Sequence, residues 1–204
     1  IMSMCRIICV TSRRLAAENF LKQTERVAAA GVQGIILREK DLQEDAYERL
    51  AEEVQRICAK YGVPLILHTY PGAAVRLGIS RLHLPLRVFL GLKTEEKKKY
   101  EVLGVSVHSV EEALEAEAAG ASCLTAGHIF ATGCKAGLAP RGLPFLREVC
   151  GSVQIPVYAI GGISPGNAAS CIRAGAAGVC LMSSLMETEQ VEEYIGRFRD
   201  ATAG

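Results

Sequence analysis

Short β-branched apolar runs alternate with longer segments of helical period along this chain, and that rhythm constrains the fold more than any other feature. Arg6–Thr11, Gly34–Arg38, Pro64–Thr69, Arg81–Leu86, Leu103–His108, a run within Ser122–Phe130, Pro156–Ile163 and Ala177–Ser184 read as strands. Leu15–Ala30, Gln43–Tyr61, Ala73–Leu77, Thr94–Lys99, Val110–Ala119, a segment after Leu143, Pro165–Ala174 and Gln190–Asp200 read as the helices that follow them. Strands that are apolar on both faces belong in a parallel sheet covered by helices. Eight strand–helix units in 204 residues predict a (β/α)8 TIM barrel, compact beside the roughly 250 residues usual for that fold. One domain spanning residues 1–204 is expected. A doubly wound sheet would have fewer units and a Gly-rich turn after its first strand, where this chain has Ser12-Arg13-Arg14. The pairs Ala30-Gly31, Tyr61-Gly62, Ala119-Gly120 and Ala174-Gly175 close helices, glycine being suited to the left-handed residue there.

Composition narrows the partners. A net charge of +1 supplies no global field for nucleic acid or an anionic membrane, and no helix-turn-helix pattern occurs. No apolar run approaches the roughly 20 residues of a membrane span. The opening Ile1–Arg6 has no leader pattern, and the eight scattered cysteines form no C-x-x-C pair. Reduced thiols and a cytoplasmic location are therefore the expectation. Outward-facing barrel helices leave room for a homodimer.

The working face of such a barrel lies at the C-terminal strand ends. All four histidines, His68, His83, His108 and His128, fall in or just after the later part of the third to sixth strands, which predicts a proton-handling pocket. Gly161-Gly162-Ile163 ends the seventh strand and Ser164-Pro165 suits a helix start. Met182-Ser183-Ser184 ends the eighth. Loops after these two strands commonly bind phosphate through backbone N–H groups and the helix dipole. Arg38-Glu39-Lys40 puts cations at the mouth, and the Gly-rich loop Gly127–Gly137 offers Thr132 and Lys135 to an anion. Cys134 in that loop has no assigned base and reads as inert. A divalent-ion site would want carboxylates at strand ends, where the third and fourth strands carry His68-Thr69 and Leu84-Pro85-Leu86. No metal and no cofactor are expected.

Ile36-Leu37-Arg38-Glu39-Lys40, Leu103–Ser109, the Gly127–Gly137 loop, Gly161-Gly162-Ile163 and Leu181–Ser184 resemble the thiamine phosphate synthase/TenI superfamily, in order over essentially the whole chain. The synthase branch has Gln where this chain has Ile36, Asn-Asp where it has His68-Thr69, and a further Asp beyond the fourth strand. Its Pro-Thr-x-Thr-Lys loop corresponds to Ala131-Thr132-Gly133-Cys134-Lys135. Each change removes a magnesium or diphosphate contact. The loop as it stands is similar to the TenI branch, the thiazole tautomerases of thiamine biosynthesis.

That resemblance implies a carboxythiazole phosphate substrate and a metal-free proton shift that aromatises its ring. His128 matches the tautomerase histidine and is expected to be the general acid/base, since an imidazole exchanges protons near neutral pH. Gly161, Gly162, Ile163, Met182, Ser183 and Ser184 are expected to hold the phosphate. Arg38, Lys40 or Lys135 would hold the carboxylate, and Ser106 or His108 would orient the ring, with Thr132 as a further donor. Three rivals remain: thiamine phosphate synthase, a non-catalytic thiazole-phosphate-binding protein, and a sugar-phosphate isomerase for which Glu39 is the one candidate base.

Overall fold

The computed structural model describes residues 5–203; residues 1–4, within the stretch read as lacking a leader, and residue 204 lie outside the described residues. Eight strands form a closed parallel barrel in sequence order: β1 (Arg6–Val10), β2 (Gly34–Leu37), β3 (Leu65–His68), β4 (Arg81–Pro85), β5 (Val102–Val107), β6 (Cys123–Gly127), β7 (Val157–Ile160) and β8 (Gly178–Leu181). β8 closes on β1 with Arg6 opposite Gly178 and Cys9 opposite Leu181. The (β/α)8 expectation holds.

Period-2 alternation sorts the strand residues into two layers. On β1, Ile7 and Cys9 face the helices and join the main core, while Ile8 and Val10 point into the barrel with Ile36 and Cys180. The main core lies between the barrel and the surrounding helices: α1 (Phe20–Ala29), α2 (Glu44–Tyr61), α3 (Pro71–Arg76), α4 (Leu86–Gly91), α5 (Thr94–Lys97), α6 (Val110–Ala118), α7 (Gly142–Ser152), α8 (Pro165–Arg173), α9 (Ser183–Glu187) and α10 (Val191–Thr202). Tyr47 of α2, Phe89 of α4 and Phe198 of α10 are its largest fully buried side chains. α2 ends on Gly62 at φ 67°, which lets its N–H return to the carbonyls of Cys58 and Ala59.

Several boundaries differ from the sequence pattern; the eighth strand, for one, ends at Leu181, and Ser183–Glu187 forms a short helix where the strand was expected to continue. The first helix starts at Phe20 rather than Leu15, because Asn19 Oδ1 accepts the N–H groups of Leu21 and Lys22 at 3.1 and 3.4 Å and caps it there. Residues Arg13–Leu15 form a separate 3-10 turn. After β4 the chain enters α4 directly, with Pro85 as its N-cap, so two short helices occupy the fourth crossover. No described helix is long and apolar enough to cross a membrane.

Candidate active site

At the C-terminal strand ends a cavity of about 570 Å³ opens to solvent. Its construction begins where β6 and β7 end. Ile129 N–H donates to Ile160 O and Phe130 N–H to Gly161 O, each at 3.0 Å, so the two loops continue the ladder beyond the strands. Gly161 sits at φ 101° and Gly162 at φ 65°. A Cβ on Gly161 would overlap His128, and one on Gly162 would overlap the Phe130 and Ala131 carbonyl oxygens. Glycine here is thus required both by backbone conformation and by the closeness of the neighbouring loop.

α8 begins just beyond. Ser164 N–H donates to Asn167 Oδ1 at 2.8 Å, and Asn167 Nδ2 donates to Gly162 O at 3.0 Å, which ties the glycine loop to the helix start. α9 follows β8 with Met182 as its N-cap. First-turn amides have no intrahelical acceptor, so the β7 and β8 loops together offer an anion cradle. Gly161, Gly162, Ile163, Met182, Ser183 and Ser184 all line the cavity.

The rest of the wall is cationic. Arg38, Lys40, Lys135 and Arg141 line the cavity, and no Asp or Glu does. Burial holds the Lys40 ammonium below the usual lysine range, with Arg38 and Lys135 adding repulsion. Glu39 points away from the cavity. It is buried and accepts from Thr11 Oγ1 at 3.0 Å and Arg13 N–H at 2.9 Å, and burial raises its pKa. Glu39 is a brace between the β1 and β2 ends, which removes the candidate base of the sugar-phosphate isomerase reading.

The histidines divide. His68, His108 and His128 are on the cavity wall, but His83 lies below it, so the four do not form one pocket. His83 stacks on His68 with ring centroids 5.8 Å apart. Its Nε2 is 2.9 Å from Ser106 Oγ and 3.3 Å from Thr125 Oγ1, and Thr125 Oγ1 donates to Ser106 Oγ at 3.2 Å. Gly104 makes room for this ring, since a Cβ there would overlap His83 Nδ1. Burial lowers the His83 pKa to about 4. Burial, then His83, Arg38 and Lys40, lower that of His68 to about 2. Both rings are neutral. His108 is exposed and faces Glu112, its backbone N–H 2.6 Å and its Nδ1 3.3 Å from Glu112 Oε2.

His128 follows β6 with Nε2 3.3 Å from Leu138 O, and Thr132, Cys134 and Lys135 stand beside it on the wall. All eight cysteines are unpaired. Burial pushes the thiols of Cys58, Cys123, Cys150 and Cys171 up to about 11.

The sequence reading omits Arg141. Its Nε donates to Gly127 O at 3.0 Å and its backbone N–H to His128 O at 2.9 Å. Its position just before the start of α7, shortly after the Gly-rich loop, was the available signal.

The donor set does not fit a magnesium ion. Such an ion takes carboxylate oxygens, whereas this wall has four cations, and the described residues contain no group of three His, Cys, Asp or Glu side chains placed to hold a metal.

Comparison with known proteins agrees with this architecture. The family described as thiamine monophosphate synthase (TMP-TENI) matches residues 7–185. The putative thiamine-phosphate synthase 2 of Aquifex aeolicus is 34% identical over 186 residues, covering 91% of this chain and 100% of its own. Thiamine-phosphate synthase 2 of Streptococcus pneumoniae is 35% identical over 193 residues, covering 92% and 90%. A thiamine phosphate pyrophosphorylase structure from Pyrococcus furiosus superposes with a TM-score of 0.84 at 26% identity, covering 99% of this chain and 97% of its own. The chain belongs to the thiamine monophosphate synthase (TMP-TENI) family.

Proposed function

We propose that this protein is an isomerase of thiamine biosynthesis that aromatises a carboxythiazole phosphate by a proton shift, with His128 as the general acid/base. One observation carries the reading: the cavity joins an amide cradle, four cations and an accessible imidazole, with no carboxylate in its wall. That lining suits a small substrate with an anion at each end.

Gly161, Gly162, Ile163, Met182, Ser183 and Ser184 hold the phosphate through amides and hydroxyls. Arg38, Lys40, Thr132 and Lys135 complete the anion-binding environment. Ser106, oriented by His83 and Thr125, meets the ring; His108, turned toward Glu112, contributes less. In the reaction the C–H bond at the carboxylate-bearing carbon breaks. Its electron pair passes through the conjugated double bonds to the exocyclic carbon, which takes up a proton. No atom is gained or lost overall, and His128 exchanges the protons.

The relatives' names favour a second reading, thiamine phosphate synthase. An absorbance assay with the ylidene tautomer separates the two. The wild type is expected to generate the aromatic chromophore, and His128→Gln to lower kcat by about 10²- to 10⁴-fold, the usual range of general acid–base catalysis. A variant of wild-type rate would remove His128 from the role. Magnesium-dependent diphosphate release from thiazole phosphate and pyrimidine diphosphate, without tautomer turnover, would establish the synthase instead.

A further inference from the structure

We propose that Arg141 is the carboxylate clamp of this site, holding the carboxylate borne by the carbon from which His128 removes the proton. The inference rests on the tautomerase reading and goes beyond it, because it places the second anion subsite on a residue outside the Arg-Glu-Lys run.

Arg141 is joined to the base more directly than any other cation of the wall. Its backbone N–H holds the His128 carbonyl, and its Nε holds the carbonyl of the preceding residue, Gly127. Its guanidinium carbon lies 5.6 Å from the Phe145 ring centroid, which gives the plane a flat support. With Nε engaged internally, the two terminal nitrogens remain as a planar edge, the geometry that pairs with a carboxylate through two parallel bonds. Arg13, Arg26, Arg49, Arg76 and Arg81 each face an acidic side chain within the protein. Arg141 has no such partner among the described residues, and no carboxylate lines the cavity to supply one.

The phosphate is served elsewhere, by amides of the β7 and β8 loops. The cation fixed to the peptide of the base therefore falls to the group on the reacting carbon. As the C–H bond breaks, part of the electron pair moves onto the carboxylate oxygens. A bidentate guanidinium stabilises that charge more in the transition state than in the ground state, which lowers the barrier.

The test compares two ligands by calorimetry: the carboxythiazole phosphate product and the same ester lacking its carboxylate. Arg141→Gln keeps the backbone N–H that holds the His128 carbonyl and loses the Nε bond to Gly127 O. The variant is expected to bind the carboxylated ester about 10- to 100-fold more weakly, the scale of one charge-assisted pair. Its affinity for the other ester should stay within about twofold of wild type, and kcat should fall more than KM rises. Arg141→Lys should restore part of the affinity. Equal losses on both esters, or no loss on either, would overturn the clamp. A wild type that binds the carboxylated ester in an Arg141-dependent way but never aromatises the tautomer would sink the tautomerase and leave the clamp standing. An active tautomerase indifferent to Arg141→Gln would do the reverse.

Discussion

His68 on the cavity wall and His83 stacked beneath it are neutral imidazoles, and their burial links the site to the stability of the whole fold. In the unfolded chain a histidine takes its proton near pH 6.5, whereas His83 does so only at about 4 and His68 at about 2. Below about 6.5 the unfolded state therefore binds protons that the folded state refuses. Stability is complete above that pH and falls as pH drops, by up to about 1.4 kcal/mol per unit for each ring. Urea unfolding at pH 7.5 and 5.0 checks this. His83→Gln should lose about 2 kcal/mol less than wild type on acidification, and equal losses would show that its titration is not coupled to folding. At this scale the sequence was a partial guide. Four histidines near strand ends are visible in it, but which of them faces the cavity depends on strand phase, and Gly104, the residue that seats His83, looks like any other strand glycine.

Among the elements, the β6 and β7 loops act as one unit, since each supplies what the other packs against. Replacing Gly161 with alanine forces a Cβ into His128 at a φ of 101°. The substitution should cost about 2–4 kcal/mol of stability and should displace His128 together with the Gly161-Gly162 loop. Chemical denaturation alongside phosphate-ester affinity would reveal it; unchanged values of both would mean the loops are not coupled. The strands were legible because burial on both faces leaves continuous apolar runs such as Gly34-Ile35-Ile36-Leu37. The helix boundaries were less so. Pro85 serves both as the last residue of β4 and as the N-cap of α4, so no turn residues separate the two. The helical period runs on upstream to Leu15, so the cap at Asn19 shows only in the folded chain. Arg141 follows Ala139-Pro140, at the end of a loop whose course only the folded chain defines.

For the molecule as a whole, the closed barrel leaves the strand ends as its working face, and the sequence pattern carried that much. It could not carry the gathering of like charges at the cavity, which depends on two separate loops, those after β2 and β6. Those loops make the molecule uneven: a net charge of +1 coexists with four cations and no acid around one opening. Such an entrance acts as an electrostatic funnel. Far from it a charged metabolite feels almost nothing, while within a screening length of about 10 Å at 0.1 M salt it is drawn in. The consequence is kinetic. Raising potassium chloride from about 20 mM to 500 mM shortens that range severalfold, so kcat/KM for a doubly anionic substrate should fall about tenfold. kcat, set after capture, should move little, and a proportionate fall in both would mean that the rim does not steer. The speed with which this protein finds its substrate is thus written in the salt around it as much as in the residues within.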